Sequence, residues 1–166
     1  MESIEIRLAT ADDLGAIEAI YDHYVHHSTC TYQLESDPQG AREAWFSRHG
    51  ERHPVVVATL DGDVVGWGSL SIYNPRAGYA HTVESSVYVH PGLHKRGIGR
   101  ALMLDLIARA EALGHHTLIA GVDGEQTASL ALHESLGFSR VAHLKEVGFK
   151  FGRWLDVIYL QRMVRK

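Results

Sequence analysis

Six consecutive residues near the middle of the chain have the side-chain types needed to bind a phosphate group: His94, Lys95, Arg96, Gly97, Ile98 and Gly99. Lys95 and Arg96 are cations, and glycines let a phosphate approach the backbone closely. Apolar residues recur every four positions from 98 to 106, which predicts a helix that begins within this loop. Backbone N–H groups at a helix N-terminus carry partial positive charge and bind anions. The segment therefore predicts a pyrophosphate-binding loop, although an ordinary glycine-rich turn has the same short pattern.

Glu84 is a candidate general base. It lies in the stretch 83–90, where apolar and polar positions alternate with the period of two that is typical of a β-strand. A glutamate among valines and a tyrosine is costly to bury without a purpose. A carboxylate at a reaction centre can take the proton of an ammonium group, directly or through water, and so free an amine for attack. The alternative is a glutamate that points to solvent or pairs with Arg76, because structural ion pairs resemble functional ones.

The predicted strand, loop and helix resemble the GNAT superfamily of acyl-CoA-dependent N-acyltransferases, whose pyrophosphate loop reads Q/R-x-x-G-x-G/A. The loop here has His94 at the first position, which mainly contributes backbone. The segment 126–138, QTASLALHESLGF, resembles a family helix with an L-G-F ending, where Gln126 and His133 replace an Asn and a Tyr. Residues seven apart lie on one helix face. The TVESSVYV stretch at 82–89 and KFGRWLD at 150–156 are similar to the phosphinothricin N-acetyltransferase family, which acetylates the α-amino group of phosphinothricin, methionine sulfoximine or methionine sulfone.

This resemblance implies an acetyl-CoA-dependent N-acetyltransferase that transfers the acetyl group directly to the amine, with Glu84 as general base. His133 could protonate the departing CoA thiolate, hydrogen-bond near it, or be a helix-surface histidine without a catalytic role. The backbone of the strand should pair with the pantetheine arm as an added strand would, and one of its N–H groups can stabilise the tetrahedral oxyanion. The further residues expected to contact acetyl-CoA are Val87, Tyr88, Val89, Arg100, Gln126 and Ser129.

The acceptor is expected to be a small amino-acid-like amine. Arg76 can hold a carboxylate or phosphinate through two parallel hydrogen bonds. The loop 73–81 precedes Glu84 and would form the acceptor pocket, for which the candidate residues are Tyr32, Arg76, Tyr79 and Thr82. Tyr32 could equally be a core aromatic residue. Family members often have a basic residue in place of Asn74, and some in place of Ala80, so the acceptor itself stays open.

Composition narrows the class of protein. The 166 residues are 45% hydrophobic and 22% charged, with a net charge of −4, which argues against nucleic-acid binding. Cys30 is the single cysteine, so no internal disulfide is expected and a reducing compartment is favoured. We expect no signal peptide, no membrane span and a cytoplasmic location. His23, His26 and His27 have helical ligand spacing, but no nearby residue completes a metal set, so no metal is expected.

The remaining pattern predicts an α/β protein. Strands are expected at 4–8, 55–60, 64–72, 83–89, 117–121, 139–149 and 154–164, and helices after Thr10 and at about 38–49, 98–113 and 126–136. The resemblance implies a single N-acetyltransferase domain over residues 1–166, with a mixed, mostly antiparallel central sheet flanked by helices. It also suggests a homodimer through the C-terminal strands. The competing functions are acetylation of a protein N-terminus, a lysine or a polyamine, and non-catalytic CoA binding on the same fold.

Overall fold

The computed structural model describes residues 3–164, which form one seven-stranded sheet with helices on both faces. The strands are β1 (Ile4–Leu8), β2 (Val55–Leu60), β3 (Asp63–Ile72), β4 (Thr82–Val89), β5 (Thr117–Asp123), β6 (Ser139–Lys150) and β7 (Arg153–Met163). The helices are α1 (Leu14–His27), α2 (Ala41–Ser47), α3 (Ile98–Ala112) and α4 (Thr127–Ser135). None of the helices within residues 3–164 is long and apolar enough to cross a membrane.

The strand order is β1-β2-β3-β4-β5-β7-β6, and every neighbouring pair is antiparallel except β4 and β5. The parallel pair arises because α3 carries the chain from the end of β4 back to the start of β5, whereas β2 and β3 are joined by a tight hairpin. The expected α/β fold with a mixed, mostly antiparallel sheet is confirmed.

The strands β4 and β5 pair over only three residues. Their parallel register runs from Thr82 opposite Thr117 to Glu84 opposite Ile119. Beyond that point β4 continues along β3 as far as Val89, and β5 continues along β7 as far as Asp123. The two strands therefore separate after Glu84, and the sheet opens into a fork at its centre.

The two faces of the sheet have separate cores. On one face α3 buries Leu102 and Leu106 against Val83 of β4. On the other face Leu14 and Ile17 of α1 pack on Trp67 of β3, and Tyr88 of β4 joins this cluster. Since side chains alternate across a strand, Glu84 lies on the α1 face together with Tyr88.

One predicted helix start is confirmed and one is displaced. Thr10 is the N-cap of a 3₁₀ turn at Ala11–Asp13 that leads directly into α1 at Leu14, and the Asp13 carboxylate accepts the N–H of Thr10 and a bidentate pair from Arg7. The helix expected from about 38 starts at Ala41, after Gly40 adopts a left-handed conformation with φ of 85°.

Candidate active site

The loop before α3 exposes the first N–H groups of that helix. Gly97 is the N-cap with φ of 80°, and no side chain within residues 3–164 caps the helix. Lys95 is also left-handed, with φ of 61°, so the chain bends sharply twice within three residues. The N–H groups of Ile98, Gly99 and Arg100 belong to the uncapped first turn and have no intrahelical partner. This is the geometry of an anion-binding site.

The space in front of the two loop glycines is not filled by tightly packed protein atoms. A Cβ atom at Gly97 would meet no protein atom within 4 Å. One at Gly99 would make only ordinary contacts with Val89 and Leu132, at 3.6 and 3.7 Å. Gly97 is therefore needed for its positive φ, and the space in front of it is open.

Beyond Glu84, every second residue of β4 directs its backbone N–H and C=O groups away from β3 and toward the fork. The N–H of His90 bonds to the carbonyl of Val65 on β3, so the backbone groups of His90 and Tyr88 face β3. Those of Val87 and Val89 face the fork instead, and Val87 lies on the edge that an extended ligand could pair with. The Val89 carbonyl accepts the Tyr24 hydroxyl.

Tyr88, a predicted cofactor contact, is paired with β3 and lies in the aromatic cluster of the α1 face. It is opposite Trp67 in the β3 ladder. Its ring stacks on Trp67 at a centroid distance of 5.0 Å and meets Tyr21 edge-on at 5.2 Å. Its backbone is thus paired with β3, and its ring packs on the α1 face.

Glu84 lies at the apex of the fork. Its side chain is half-buried, and this burial raises the pKa of the carboxyl group. Within residues 3–164 the Glu84 carboxylate forms no hydrogen bond or ion pair, and Arg76 does not pair with it. A partly desolvated carboxylate without a counter-ion, beside a cleft, has the properties of a general base.

His133 is held in one tautomer. Its Nδ1–H donates to the carbonyl of Ser129 at 2.7 Å, and its ring meets Phe138 edge-on. The neutral ring then has its lone pair on Nε2, and burial lowers the pKa of this histidine. At neutral pH His133 is therefore a hydrogen-bond acceptor at Nε2 rather than a ready proton donor.

Gln126 and Tyr32 belong to a buried network beside α4. The Gln126 amide donates to Thr29 Oγ1 at 3.1 Å, and Thr29 donates to the Asp123 carboxylate at 2.6 Å. The Tyr32 hydroxyl donates to the same carboxylate at 2.6 Å and lies 3.0 Å from the carbonyl oxygen of Asp156. The hydroxyl of the half-buried Tyr32 is thus bonded to Asp123 and Asp156, and its role in the acceptor pocket stays a prediction.

The loop before β4 carries the remaining acceptor candidates. Asn74 Oδ1 accepts the N–H of Arg76 and so shapes the turn, while the Arg76 side chain is exposed. Tyr73 and Tyr79 meet edge-on at 5.7 Å, and both are exposed. Thr82 is half-buried where β4 begins. Three of the four candidates thus lie on the segment that leads into β4, and Tyr32 lies on the segment after α1, beside the end of β5.

Two residues with clear roles at this site were not foreseen. Tyr24 bonds to the end of β4 and to His94. Lys150 is buried, and its Nζ donates to the carbonyls of Ser28 and Thr31 at 2.7 and 2.8 Å. Lys150 is the first residue of the KFGRWLD stretch, but its burial has no signal in the sequence, because a lysine is normally exposed.

The fold and the fork define the class of this protein. Residues 17–138 match the family described as Acetyltransferase (GNAT) family. The chain belongs to the GNAT acetyltransferase family, as the sequence resemblance implied.

Its relatives include enzymes of the expected type. An L-methionine sulfoximine/L-methionine sulfone acetyltransferase from Salmonella typhimurium is 40% identical over 94% of this chain and 92% of its own length. A GNAT superfamily phosphinothricin acetyltransferase from Sinorhizobium meliloti, solved in complex with acetyl-CoA, has a TM-score of 0.93 and 37% identity, with 96% and 88% of the chains covered. A ribosomal-protein-alanine N-acetyltransferase from Brucella melitensis has a TM-score of 0.92 and 40% identity, with 96% and 99% covered.

Proposed function

We propose that this chain transfers an acetyl group from acetyl-CoA to the α-amino group of a small amino-acid-like acceptor. The observation that carries the proposal is the position of Glu84, whose carboxylate stands at the apex of the β4–β5 fork and has no ion-pair partner among the described residues. The related phosphinothricin and methionine sulfoximine enzymes support the acceptor class.

The residues around the fork fit acetyl-CoA. Its pyrophosphate suits the uncapped N–H groups of Ile98, Gly99 and Arg100, with Lys95 adding positive charge and Gly97 leaving the approach open. The open edge of β4 at Val87 suits the amides of the pantetheine arm. Acetyl-CoA supplies the activated acetyl group as a thioester.

Glu84 prepares the acceptor for direct transfer. An α-amino group is mostly protonated at neutral pH, and its ammonium form has no lone pair for attack. The Glu84 carboxylate takes one N–H proton, directly or through a water, and passes it to solvent. The neutral amine then attacks the thioester carbon, the C–S bond breaks, and the second N–H proton balances protonation of the departing CoA thiolate through water. The raised pKa of Glu84 brings its basicity closer to neutral pH, which favours this transfer.

His133 is proposed as a hydrogen-bonding group near the thiol end of the cofactor. Because its Nδ1–H is committed to Ser129, Nε2 can accept the proton of a CoA thiol but cannot donate while the ring is neutral. The lowered pKa of His133 makes the protonated ring scarce at neutral pH. An acid role would therefore be confined to low pH.

The test is an acceptor panel with acetyl-CoA, followed by thiol release. We expect turnover with methionine sulfoximine, methionine sulfone or free amino acids. Turnover of phosphinothricin, compared with these acceptors, shows whether it is accepted without a basic residue at positions 74 and 80, where this chain has Asn74 and Ala80. Acetyl-CoA binding without turnover on any acceptor would instead support a non-catalytic CoA-binding module.

A second candidate acceptor is a protein N-terminus. The likeness to the Brucella ribosomal-protein-alanine N-acetyltransferase favours it. Peptides that begin with alanine, a lysine peptide and a polyamine therefore belong in the same panel. Exclusive turnover of the peptides would replace the small-acceptor proposal.

We include a homodimer and a cytoplasmic location in the proposal. The edge strand β6 and its hairpin partner β7 expose large apolar side chains, among which Trp154 is 63% exposed. The others on this hairpin are Val141, Leu144, Val147, Phe149, Phe151 and Met163. A surface of this kind fits a second copy of the chain. Light scattering of wild type and Trp154→Lys tests it, since the variant should shift toward monomer.

A further inference from the structure

The Tyr24 hydroxyl connects α1 with both parts of the cofactor site. It donates to the carbonyl oxygen of Val89, the last residue of β4, and lies 2.6 Å from His94 Nε2, the first residue of the pyrophosphate loop. The Tyr24 ring is also stacked on the His94 ring, with centroids 6.2 Å apart and planes inclined by 23°. Tyr24 is only 8% exposed, so water cannot easily replace these bonds.

In the hydrogen bonds that join His94, Tyr24 and Val89, the donor and the acceptor of each bond are fixed. A carbonyl oxygen can only accept, so the single hydroxyl proton of Tyr24 is committed to Val89. Tyr24 must then accept from His94, which requires the proton of the neutral His94 ring to be on Nε2. Burial raises the pKa of Tyr24 to about 12, so the hydroxyl stays protonated over the working range. His94 Nδ1 is left with a lone pair.

Tyr24 is itself held from its other side. Lys150 Nζ lies 3.4 Å from the Tyr24 carbonyl and donates to the carbonyls of Ser28 and Thr31 just beyond α1. The end of α1 is thus fixed to the β6–β7 hairpin, and the hydroxyl of Tyr24 reaches the loop from a rigid position. Histidine takes the first position of this loop, where the family motif has Gln or Arg.

We infer that Tyr24 is a positioning residue for the cofactor site: through Val89 and His94 it holds the end of β4 and the pyrophosphate loop in one arrangement before the cofactor binds. The inference rests on the proposed function, because it assigns the loop to acetyl-CoA. A loop that is already ordered loses less conformational freedom on binding. The hydroxyl therefore contributes to affinity without touching the cofactor.

The test compares two tyrosines of the same helix. Tyr24→Phe removes the bridging hydroxyl, and Tyr21→Phe removes a hydroxyl of α1 that bonds to Thr31 and Gln33 and, among the described residues, not to the loop. Hydrogen exchange of the amides of residues 94–99 is measured in the free protein, and the Kd of CoA by calorimetry. We expect faster exchange and a Kd about 3- to 10-fold higher in Tyr24→Phe, in the range of one hydrogen bond. Tyr21→Phe should leave both unchanged, and kcat at saturating acetyl-CoA should change little in either.

A double-mutant cycle with His94→Ala separates positioning from a general loss of stability. If the hydroxyl acts through His94, the two substitutions should not be additive in the Kd of CoA. In ¹⁵N spectra of the free wild type, His94 should be in the Nε2–H tautomer, and Tyr24→Phe should give a mixture of tautomers. Unchanged exchange and Kd in Tyr24→Phe, or equal losses in Tyr21→Phe, would overturn the inference. A wild type that fails to bind CoA would overturn it together with the proposed function, whereas CoA binding without turnover would overturn the proposed function alone.

Discussion

Glu84 and Ile119 form the last parallel pair between β4 and β5 before the two strands separate. The carboxylate is therefore carried by a residue that has a paired strand on each side, yet it stands at the mouth of the fork. Its backbone belongs to the β3 ladder, since Glu84 lies opposite Ser71. A base in this position can reach an acceptor on the α1 face while the fork receives the acyl donor.

Replacing Glu84 by Gln should abolish most of the turnover. Gln keeps the shape of the side chain and removes the proton acceptor, so we expect kcat to fall roughly 100-fold or more while CoA binding is retained. Part of the loss should be recovered at high pH, where more of the amine is neutral. The control is Glu5→Gln, an exposed glutamate of β1, which should have wild-type kinetics. Wild-type turnover in Glu84→Gln at neutral pH would exclude Glu84 as the base.

The same variant should be more stable than the wild type at neutral pH. Burial raises the pKa of Glu84 in the folded state, so the folded state binds more protons than the unfolded state between the ordinary and the raised value. Stability is therefore lost as the pH rises through this window, and Gln removes the loss. Thermal unfolding of both proteins at several pH values measures this difference in stability. In the wild type, the fall of kcat/KM on the acid side should also occur above the ordinary pKa of a glutamate. A lower melting temperature of Glu84→Gln at pH 7 would contradict this.

Gly97 should be needed for the cofactor and not only for the helix. Gly97 and Gly114 lie at opposite ends of α3, with φ of 80° and 83°, and a Cβ at either would meet nothing within 4 Å. Gly97→Ala and Gly114→Ala should therefore lose similar stability, on the order of 1 kcal/mol each. Only Gly97→Ala should also lose the stabilisation by acetyl-CoA, because the added methyl group faces the phosphate. An equal acetyl-CoA shift in both variants would show that the loop has been assigned wrongly.

Sequence periodicity predicted the individual strands and helices but not which strand pairs with which edge of its neighbours. The strand at 83–89 and the helix from Ile98 were predictable because their patterns are local. The fork after Glu84 was not, since it depends on which distant strand each edge of β4 and β5 pairs with. For the same reason the sequence could not tell that Tyr88 faces β3 while Val87 faces the fork. The bond from Tyr24 to His94 joins residues 70 positions apart, and no short pattern indicates it.

Arg76 should recognise the carboxylate of the acceptor. Its guanidinium is exposed on the loop before β4 and can form two parallel bonds with a carboxylate. Arg76→Ala should raise the KM of an amino-acid acceptor by about 10- to 100-fold and leave CoA binding unchanged, as expected for a hydrogen bond to a charged group. The KM of the matching amine without a carboxylate should change little. Arg76→Lys should recover only part of the loss. Equal weakening of both acceptors would show a structural role and favour a peptide or polyamine acceptor.

His115 should make the fold sensitive to mild acid. It is fully buried, its Nε2–H donates to the Arg52 carbonyl at 2.8 Å, and Arg52 Nη2 lies 3.5 Å from its Nδ1. Protonation of His115 at Nδ1 would remove the lone pair that faces Arg52 and would place two cations side by side. Burial, together with the charge of Arg52, therefore keeps the pKa of His115 below its ordinary value. The unfolded state then binds more protons just below the ordinary value of about 6.5, so stability is lost as the pH falls through it.

The measurement is the unfolding free energy at about pH 7.5 and about pH 5.5, on either side of the ordinary imidazole pKa of about 6.5. His115→Gln keeps a donor for the Arg52 carbonyl and removes the titrating group, so its stability should fall less between these two pH values than that of the wild type. His116→Gln is the matched control, because the neighbouring histidine is exposed. It should follow the wild type at both pH values. If His115→Gln loses as much stability on acidification as the wild type, the acid sensitivity comes from other histidines. The next to replace is then His53, a half-buried histidine whose ring lies 5.8 Å from that of His115 and whose pKa is lowered by burial.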